Sequence, residues 1–390
     1  MPPPAEAQAP VAPPLIVHLI HQLGMGGMEN GLINLINHMP PQRYRHAIVC
    51  LKDYTAFHQR IRRPDVEIVS LNKREGKDWR HYLELYRTLK RLQPSLIHTR
   101  NLAGMEGQLL AAAAGVKLRV HGEHGRELAD LRGESRKYRL LRRVLAPLIG
   151  HFIAVSADLE RWLVERIGVA PARVSHIDNG VDSLQFHPRL GPAAGVGPPG
   201  FMCQDAFVIG AVGRMVGIKD YASLVRAFLL LLAAQHGSGA RLRLLIVGDG
   251  PCRAQCLTLL ERAGVAELAW LPGSRDDIAC LMRSMDVFVQ PSLAEGSSNT
   301  ILEAMASGLP VVATRVGGNP DLVRAGAGGT LVPPAAPELL AEAIGHYYRM
   351  PGLAARHGRC GRAQVLARHG LASMAASYLA VYDALTSGTP

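Results

Sequence analysis

The stretch VFVQPSLAEGSSNTILEAMASGLPVVAT, from Val287 to Thr314, reads as strand, turn, helix and strand in quick succession. The apolar run VFVQPS enters the polar turn EGSSNT, ILEAMAS continues with helical character, and LPVVAT is a second apolar run. Ser297 or Ser298 can cap the helix, which runs to about Ser307, and Gly308 can end it. A strand that returns to a parallel neighbour through a helix is the unit of a doubly wound α/β sheet. The start of such a helix exposes unpaired N–H groups and a partial positive charge, which suits a phosphate. Gly296, Ser297, Ser298, Asn299 and Thr300 line that start. Glu303 sits one turn in, where it can accept hydrogen bonds from ribose hydroxyls, and Glu295 stays on the loop. The plainer alternative makes Glu295 and Glu303 solvated carboxylates that stabilise the helix dipole.

The same alternation extends in both directions. Apolar runs at Leu15–Ile20, Ala47–Leu51, Val66–Leu71, Leu96–Thr99, Val116–Val120 and Phe152–Val155 are separated by helical stretches, the first from Glu29 to Met39. HPRLGPAAGVGPPG, His187 to Gly200, is dense in Pro and Gly and reads as a linker. A second series follows at Phe207–Val212, Leu242–Val247, Leu268–Leu271, Val287–Val289, Val311–Thr314 and Thr330–Val332. The expected organisation is a flexible tail over 1–14, one Rossmann-like domain over 15–186, a linker over 187–203 and a second such domain over 204–370. Ligands of such sheets sit at the carboxyl ends of the strands, so the cleft between the two units is the expected active site.

Three further turns fall at strand ends. Gly213-Arg214-Met215-Val216-Gly217-Ile218-Lys219 follows a strand, and Arg214 and Lys219 can clamp a diphosphate without a metal. Gly24-Met25-Gly26-Gly27-Met28-Glu29 follows the first strand, where glycines such as Gly26 and Gly27 let backbone approach a phosphate or sugar. The full GxGxxG is absent, because Glu29 holds the last glycine's place. Val247-Gly248-Asp249-Gly250 is a weaker signal of the same kind. Val120-His121-Gly122-Glu123-His124-Gly125 ends another strand, and His121 or His124 is expected to face the cleft. Two His and one Glu within four residues lack the helical spacing of a zinc site.

The 390 residues suffice for two domains, and 48% hydrophobic against 19% charged residues exclude disorder of the whole. No apolar run reaches the roughly 20 residues of a membrane span. Met1 to Pro14 lacks a basic segment before an apolar one, and the six cysteines include no CxxC pair, so a cytoplasmic location is expected. The net charge of +11 lies mostly in the first half, where residues 1–186 carry 26 Lys/Arg against 18 Asp/Glu. There is no nucleic-acid motif, and an anionic membrane surface or a phosphorylated acceptor accounts for the excess. Arg132 to Ile149 alternates basic and apolar residues, as an amphipathic helix docked on anionic lipid would.

Together these motifs resemble the retaining family 4 glycosyltransferases of the GT-B fold, from about Leu15 to the C-terminus. The resemblance rests on E-x7-E at Glu295 and Glu303, GGME at Gly26–Glu29, Arg214 with Lys219, VGDG at Val247–Gly250, AVSADL at Ala154 and NGVD at Asn179. GGMEN and EHG are similar to a subgroup associated with exosortase/PEP-CTERM systems. The resemblance implies two Rossmann-like domains facing across a cleft, with a last helix (371–387) that crosses back to the first. It implies a UDP- or GDP-sugar donor on the second domain and a glycan or polyprenyl-linked acceptor on the first, with no metal or other cofactor required. Glu295 then touches the donor sugar, Glu303 the ribose, Arg214 and Lys219 the diphosphate, and His124 or His121 the reacting groups. A nucleotide-sugar epimerase or a non-catalytic nucleotide-sugar binder is the alternative.

Overall fold

The computed structural model describes residues 12–388, apart from 77, 128, 132, 192–195, 204, 236–240 and 324–327. Most of the tail read from the sequence, part of the Pro/Gly linker and Arg132 therefore lie outside the described residues.

Thirteen strands among the described residues form two sheets, and every pairing is parallel. The first sheet contains β1 (Leu15–Ile20), β2 (Arg45–Cys50), β3 (Glu67–Ser70), β4 (Leu96–Arg100), β5 (Leu118–Glu123), β6 (His151–Ala154) and β7 (Val174–His176). The second contains β8 (Phe207–Val212), β9 (Leu242–Val247), β10 (Ala269–Gly273), β11 (Val287–Gln290), β12 (Val311–Thr314) and β13 (Gly329–Val332). Their orders are 3-2-1-4-5-6-7 and 10-9-8-11-12-13. Each sheet grows outward in two directions from its first strand, so the crossovers part between β1 and β4, and between β8 and β11. A crevice opens at the carboxyl ends of strands at such a point. Helices cover both faces, and the central strands are accordingly buried on both sides and mostly apolar, with His18, His98 and Arg100 as exceptions in β1 and β4.

The chain crosses between the two units twice. After the second sheet, the helix Leu371–Ser387 returns to the first, where Met374, Tyr378 and Tyr382 pack on Ile16, Leu96, Val120 and Ile153. Tyr44 donates to Asp383 at 2.9 Å and Arg43 pairs with it at 2.7 Å, which pins the far end of this helix.

The strand β5 differs from the sequence expectation. It runs through His121, Gly122 and Glu123, where local polarity suggested a loop. The polar side chains are tolerated because buried partners satisfy them, as described below. The short edge strand β7 carries no apolar run that could announce it. Ala227–Ala234, the longest apolar run, lies in the largely buried helix Tyr221–Ala234. None of the described helices is long and apolar enough to cross a membrane.

Candidate active site

The segment from Gln290 to Ala306 builds one wall of the cleft. Ser298 is the residue that caps the helix Asn299–Ala306, accepting from the N–H of Ile301 at 3.4 Å. Gly308, at φ 74°, ends it in the left-handed conformation that favours glycine. Glu295 lies just before this helix, and Lys219 comes from the turn after β8. Lys219 Nζ meets Glu295 Oε1 at 2.5 Å, and the same oxygen accepts from Gln290 Nε2 at 2.5 Å and Ser292 Oγ at 2.6 Å. Thr300 Oγ1 donates to Gln290 Oε1 at 3.3 Å, which ties the helix start to the same network. The sequence assigned Lys219 and Glu295 to different parts of the donor, so their mutual ion pair is new. Gln290 and Ser292 were overlooked, although QPS directly precedes the loop.

Arg214 is exposed on the same turn, and its side chain has no hydrogen-bond or ion-pair partner among the described residues. Gly248 holds φ 138° because a Cβ there would lie 2.0 Å from the carbonyl oxygen of Gly213, so its glycine serves close backbone packing beneath that turn. Glu303 is half-buried, and desolvation raises its carboxyl to about 8 against the opposing charge of Arg60. At neutral pH this carboxyl is therefore mostly protonated.

The opposite wall comes from the first sheet. Gly26 precedes the helix Gly27–His38, and the Glu29 carboxyl folds back over Gly26. Burial raises the Glu29 carboxyl, against the opposing pull of Arg214 and Arg100. The two walls touch at several points. Asn299 Nδ2 donates to the carbonyl of Gly27 at 2.9 Å, and Asn179 Nδ2 donates to Asn299 Oδ1 at 2.7 Å. Gly296 lies so close to the second histidine loop that an added Cβ would sit 2.1 Å from the carbonyl oxygen of His124.

The histidine cluster divides in two. His121 is fully buried within β5, with Nδ1 at 2.8 Å from Thr99 Oγ1 and Nε2 at 3.3 Å from Glu123 Oε1, so it does not face the cleft. Glu123 is also buried and takes both arms of Arg142, at 2.6 and 3.1 Å. Burial alone would raise this carboxyl, but the Arg142 charge and the His121 contact outweigh it and hold it down to about 2. His124 follows the strand, its N–H donating to Asn101 Oδ1 at 2.8 Å, and its loop contacts Gly296 of the second domain. Burial and the nearby Arg100 push its imidazole down to about 3, so it is neutral. Of the two candidates, His124 is the one beside the donor loop. Both ring nitrogens of His121 are taken up by partners, Thr99 on the neighbouring strand and Glu123 two residues on.

Arg142 also corrects the amphipathic reading of 132–149. Within the helix Arg136–Leu145 it points inward, over the Trp162 ring at 4.9 Å, and Leu145 is buried beside it. Arg136, Lys137, Leu140, Arg143 and Val144 make up the exposed face instead.

Residues 206–349 match the family described as Glycosyl transferases group 1, and residues 25–183 match Glycosyltransferase Family 4. The chain is 26% identical over 309 residues to the Escherichia coli UDP-Gal:alpha-D-GlcNAc-diphosphoundecaprenol alpha-1,3-galactosyltransferase, covering 77% of this chain and 79% of that one. It is 30% identical over 243 residues to the lipopolysaccharide core biosynthesis mannosyltransferase LpcC of Rhizobium leguminosarum bv. viciae, covering 58% of this chain and 67% of that one. The crystal structure of Anabaena Alr3699/HepE in complex with UDP-glucose shares the fold, with a TM-score of 0.76, 21% identity, and coverage of 96% of this chain and 100% of that one. With a family model matched in each half and two doubly wound parallel sheets, the chain belongs to the family 4 glycosyltransferases and is an enzyme of the GT-B fold.

Proposed function

We propose that this glycosyltransferase takes a sugar from a UDP- or GDP-sugar and passes it, with retention of anomeric configuration, to a glycan or polyprenyl-linked acceptor. The setting we propose is the assembly of a bacterial exopolysaccharide or cell-surface glycan, in the manner of the PEP-CTERM-associated subgroup. The observation that carries the donor assignment is the pairing of Lys219 with Glu295 just before the capped helix Asn299–Ala306, with Arg214 exposed on the same turn as Lys219. Two cations and a helix start can neutralise a departing diphosphate, so no metal or other cofactor is needed for that step. In a front-face reaction the acceptor hydroxyl passes its proton to the leaving phosphate oxygen, and no side chain needs to act as nucleophile. Neutral His124 is suited to hydrogen-bond a sugar hydroxyl on the acceptor side, with Gly26, Gly27 and Gly248 shaping the phosphate path. The E. coli relative is named for a UDP-sugar donor and a lipid diphosphate acceptor, which supports this choice of substrates.

The nucleotide site is tested through Glu303. Ribose hydroxyls donating to this carboxyl favour its charged form, so nucleotide binding lowers its pKa and releases a proton between the ordinary carboxylate value and about 8. Calorimetric titration with UDP- and GDP-sugars at pH 7, in buffers of different ionisation enthalpy, is expected to show release of about one proton per nucleotide. Glu303→Ala is expected to bind weakly and without proton release. A wild type that binds with no proton change, or a variant with the same change, would sink the ribose role. A sample stabilised by no nucleotide sugar in thermal melts would favour the non-catalytic alternative.

We further propose a cytoplasmic enzyme held peripherally on the inner membrane face through the exposed side of Arg136–Leu145. Replacing Arg136, Lys137 and Arg143 by Gln is expected to weaken co-sedimentation with phosphatidylglycerol vesicles on the order of a hundredfold. Unchanged co-sedimentation would remove this helix from the membrane contact.

A further inference from the structure

Among the described residues, two arginines in the first domain are buried, and they are treated differently. Arg142 lies on Glu123 with both arms, as a structural arginine should. Arg100 ends β4, at the point where the crossovers of the first sheet part, and is only 2% exposed. No carboxylate lies within ion-pair distance of it among the described residues. Nη1 donates to His18 Nδ1 at 3.1 Å, and Nε has no partner.

None of the described neighbours pairs its charge directly with Arg100. Arginine can only donate, so His18 Nδ1 is the bare nitrogen and its Nε2–H points to His46 Nδ1, 2.9 Å away. Both rings are then neutral, and burial holds both well below the usual histidine value. The hydroxyls of Tyr378 and Tyr382, also within range of Arg100, are kept protonated by burial. Glu29 is a carboxylate whose charge reaches Arg100, but the two form no ion pair.

Two more polar atoms stand unpartnered close by. A Cβ added to Gly122 would lie 2.8 Å from His124 Nε2 and 2.9 Å from His98 Nε2, so both nitrogens face one point above that glycine, and neither has a hydrogen-bond partner. His98 is held from its other side, where Nδ1 meets Tyr382 Oη of the returning helix at 2.7 Å. Arg100 lies close enough to lower both imidazoles. Buried charges and donors left without partners are costly, and such groups are usually kept for a ligand.

We infer that Arg100, with His98 and His124, forms a phosphate subsite on the first domain that takes a phosphoryl group of the acceptor. A phosphoryl group brings negative charge and several acceptor oxygens, to which a guanidinium and two imidazoles in their Nε2–H tautomers are complementary. A neutral glycan hydroxyl would leave the charge uncompensated. The donor diphosphate has its own cations, Arg214 and Lys219, on the second sheet. The subsite therefore selects acceptors that carry a phosphate or diphosphate near the reacting sugar. This rests on the transferase reading above.

The test uses calorimetric titration of the full chain with inorganic pyrophosphate after the donor site is saturated with UDP. The wild type is expected to bind pyrophosphate, and Arg100→Gln to bind it at least about tenfold more weakly while keeping UDP affinity within about threefold. In thermal melts without ligand, Arg100→Gln is expected to match or exceed the wild type, because an unpaired buried charge is removed. Pyrophosphate affinity equal in the two proteins, or no binding to the UDP-saturated wild type, would overturn the subsite. A loss of UDP affinity in Arg100→Gln matching its loss of pyrophosphate would assign the charge to the donor instead, and also overturn it. A lower melting temperature with unchanged pyrophosphate binding would make Arg100 structural. Failure of the wild type to bind UDP at all would instead defeat the donor reading on which the subsite rests.

Discussion

Lys219→Ala is expected to lower kcat by about a thousandfold, with transfer or donor hydrolysis as the readout. Two contributions are lost together. The ammonium group is placed to neutralise the leaving diphosphate, a role in which one preorganised cation or donor is worth two to three orders of magnitude. It also fixes Glu295, whose Oε1 it shares with Gln290 and Ser292. Without it the carboxylate keeps two neutral donors but loses its counter-charge, and its position against the donor sugar loosens. Because the pair acts as a unit, Lys219→Ala combined with Glu295→Gln is expected to be little worse than Lys219→Ala alone. Losses that multiply in the double variant would show that the two residues act independently. The side chain of Lys219 is 20% exposed, so the unliganded protein is expected to melt within a few degrees of the wild type.

The second large effect concerns stability. Arg142→Ala is expected to destabilise the first domain by about 3–5 kcal/mol, because it strands the buried Glu123 carboxylate. Arg142→Met with Glu123→Gln is expected to recover most of the loss, since both charges are then gone. The sign with pH follows from the direction of the shift. The folded carboxyl is held at about 2, below its ordinary value, so the pair stabilises the wild type above about pH 4.5 and this contribution fades as pH falls towards 2. In Arg142→Ala burial is no longer opposed by that charge, the carboxyl rises, and the deficit relative to wild type shrinks in acid. Denaturant melts followed by Trp162 fluorescence report on the right region, since this ring lies against the Arg142 guanidinium. A deficit under 1 kcal/mol, or one that grows as pH falls, would mean that Glu123 finds water or another partner.

Much of the architecture was legible in the sequence because it depends on local pattern. Leu242–Val247 and Val311–Thr314 are strands with the limits read from their apolar runs, since central strands of a parallel sheet are buried on both faces and need no alternation. The helix start after Glu295 was legible because capping is a matter of a few neighbouring residues, although the choice of Ser298 over Ser297 needed coordinates. Neither β7 nor the polar end of β5 could be read this way, one being too short and the other stabilised from outside its own segment.

By itself, then, the sequence determined two doubly wound units and the family motifs, because strand burial, capping and glycine turns are encoded over a few neighbouring residues. Tertiary structure alone decided the pairings. It joined Lys219 to Glu295 and Asn299 to Gly27, positions 76 and 272 residues apart. It enclosed His121 and exposed the His124 loop to the donor wall, and it gave Arg142 a carboxylate while leaving Arg100 without one. The physical reason is that the state of a polar side chain is set by its solvation and partners, and buried partners come from elsewhere in the chain.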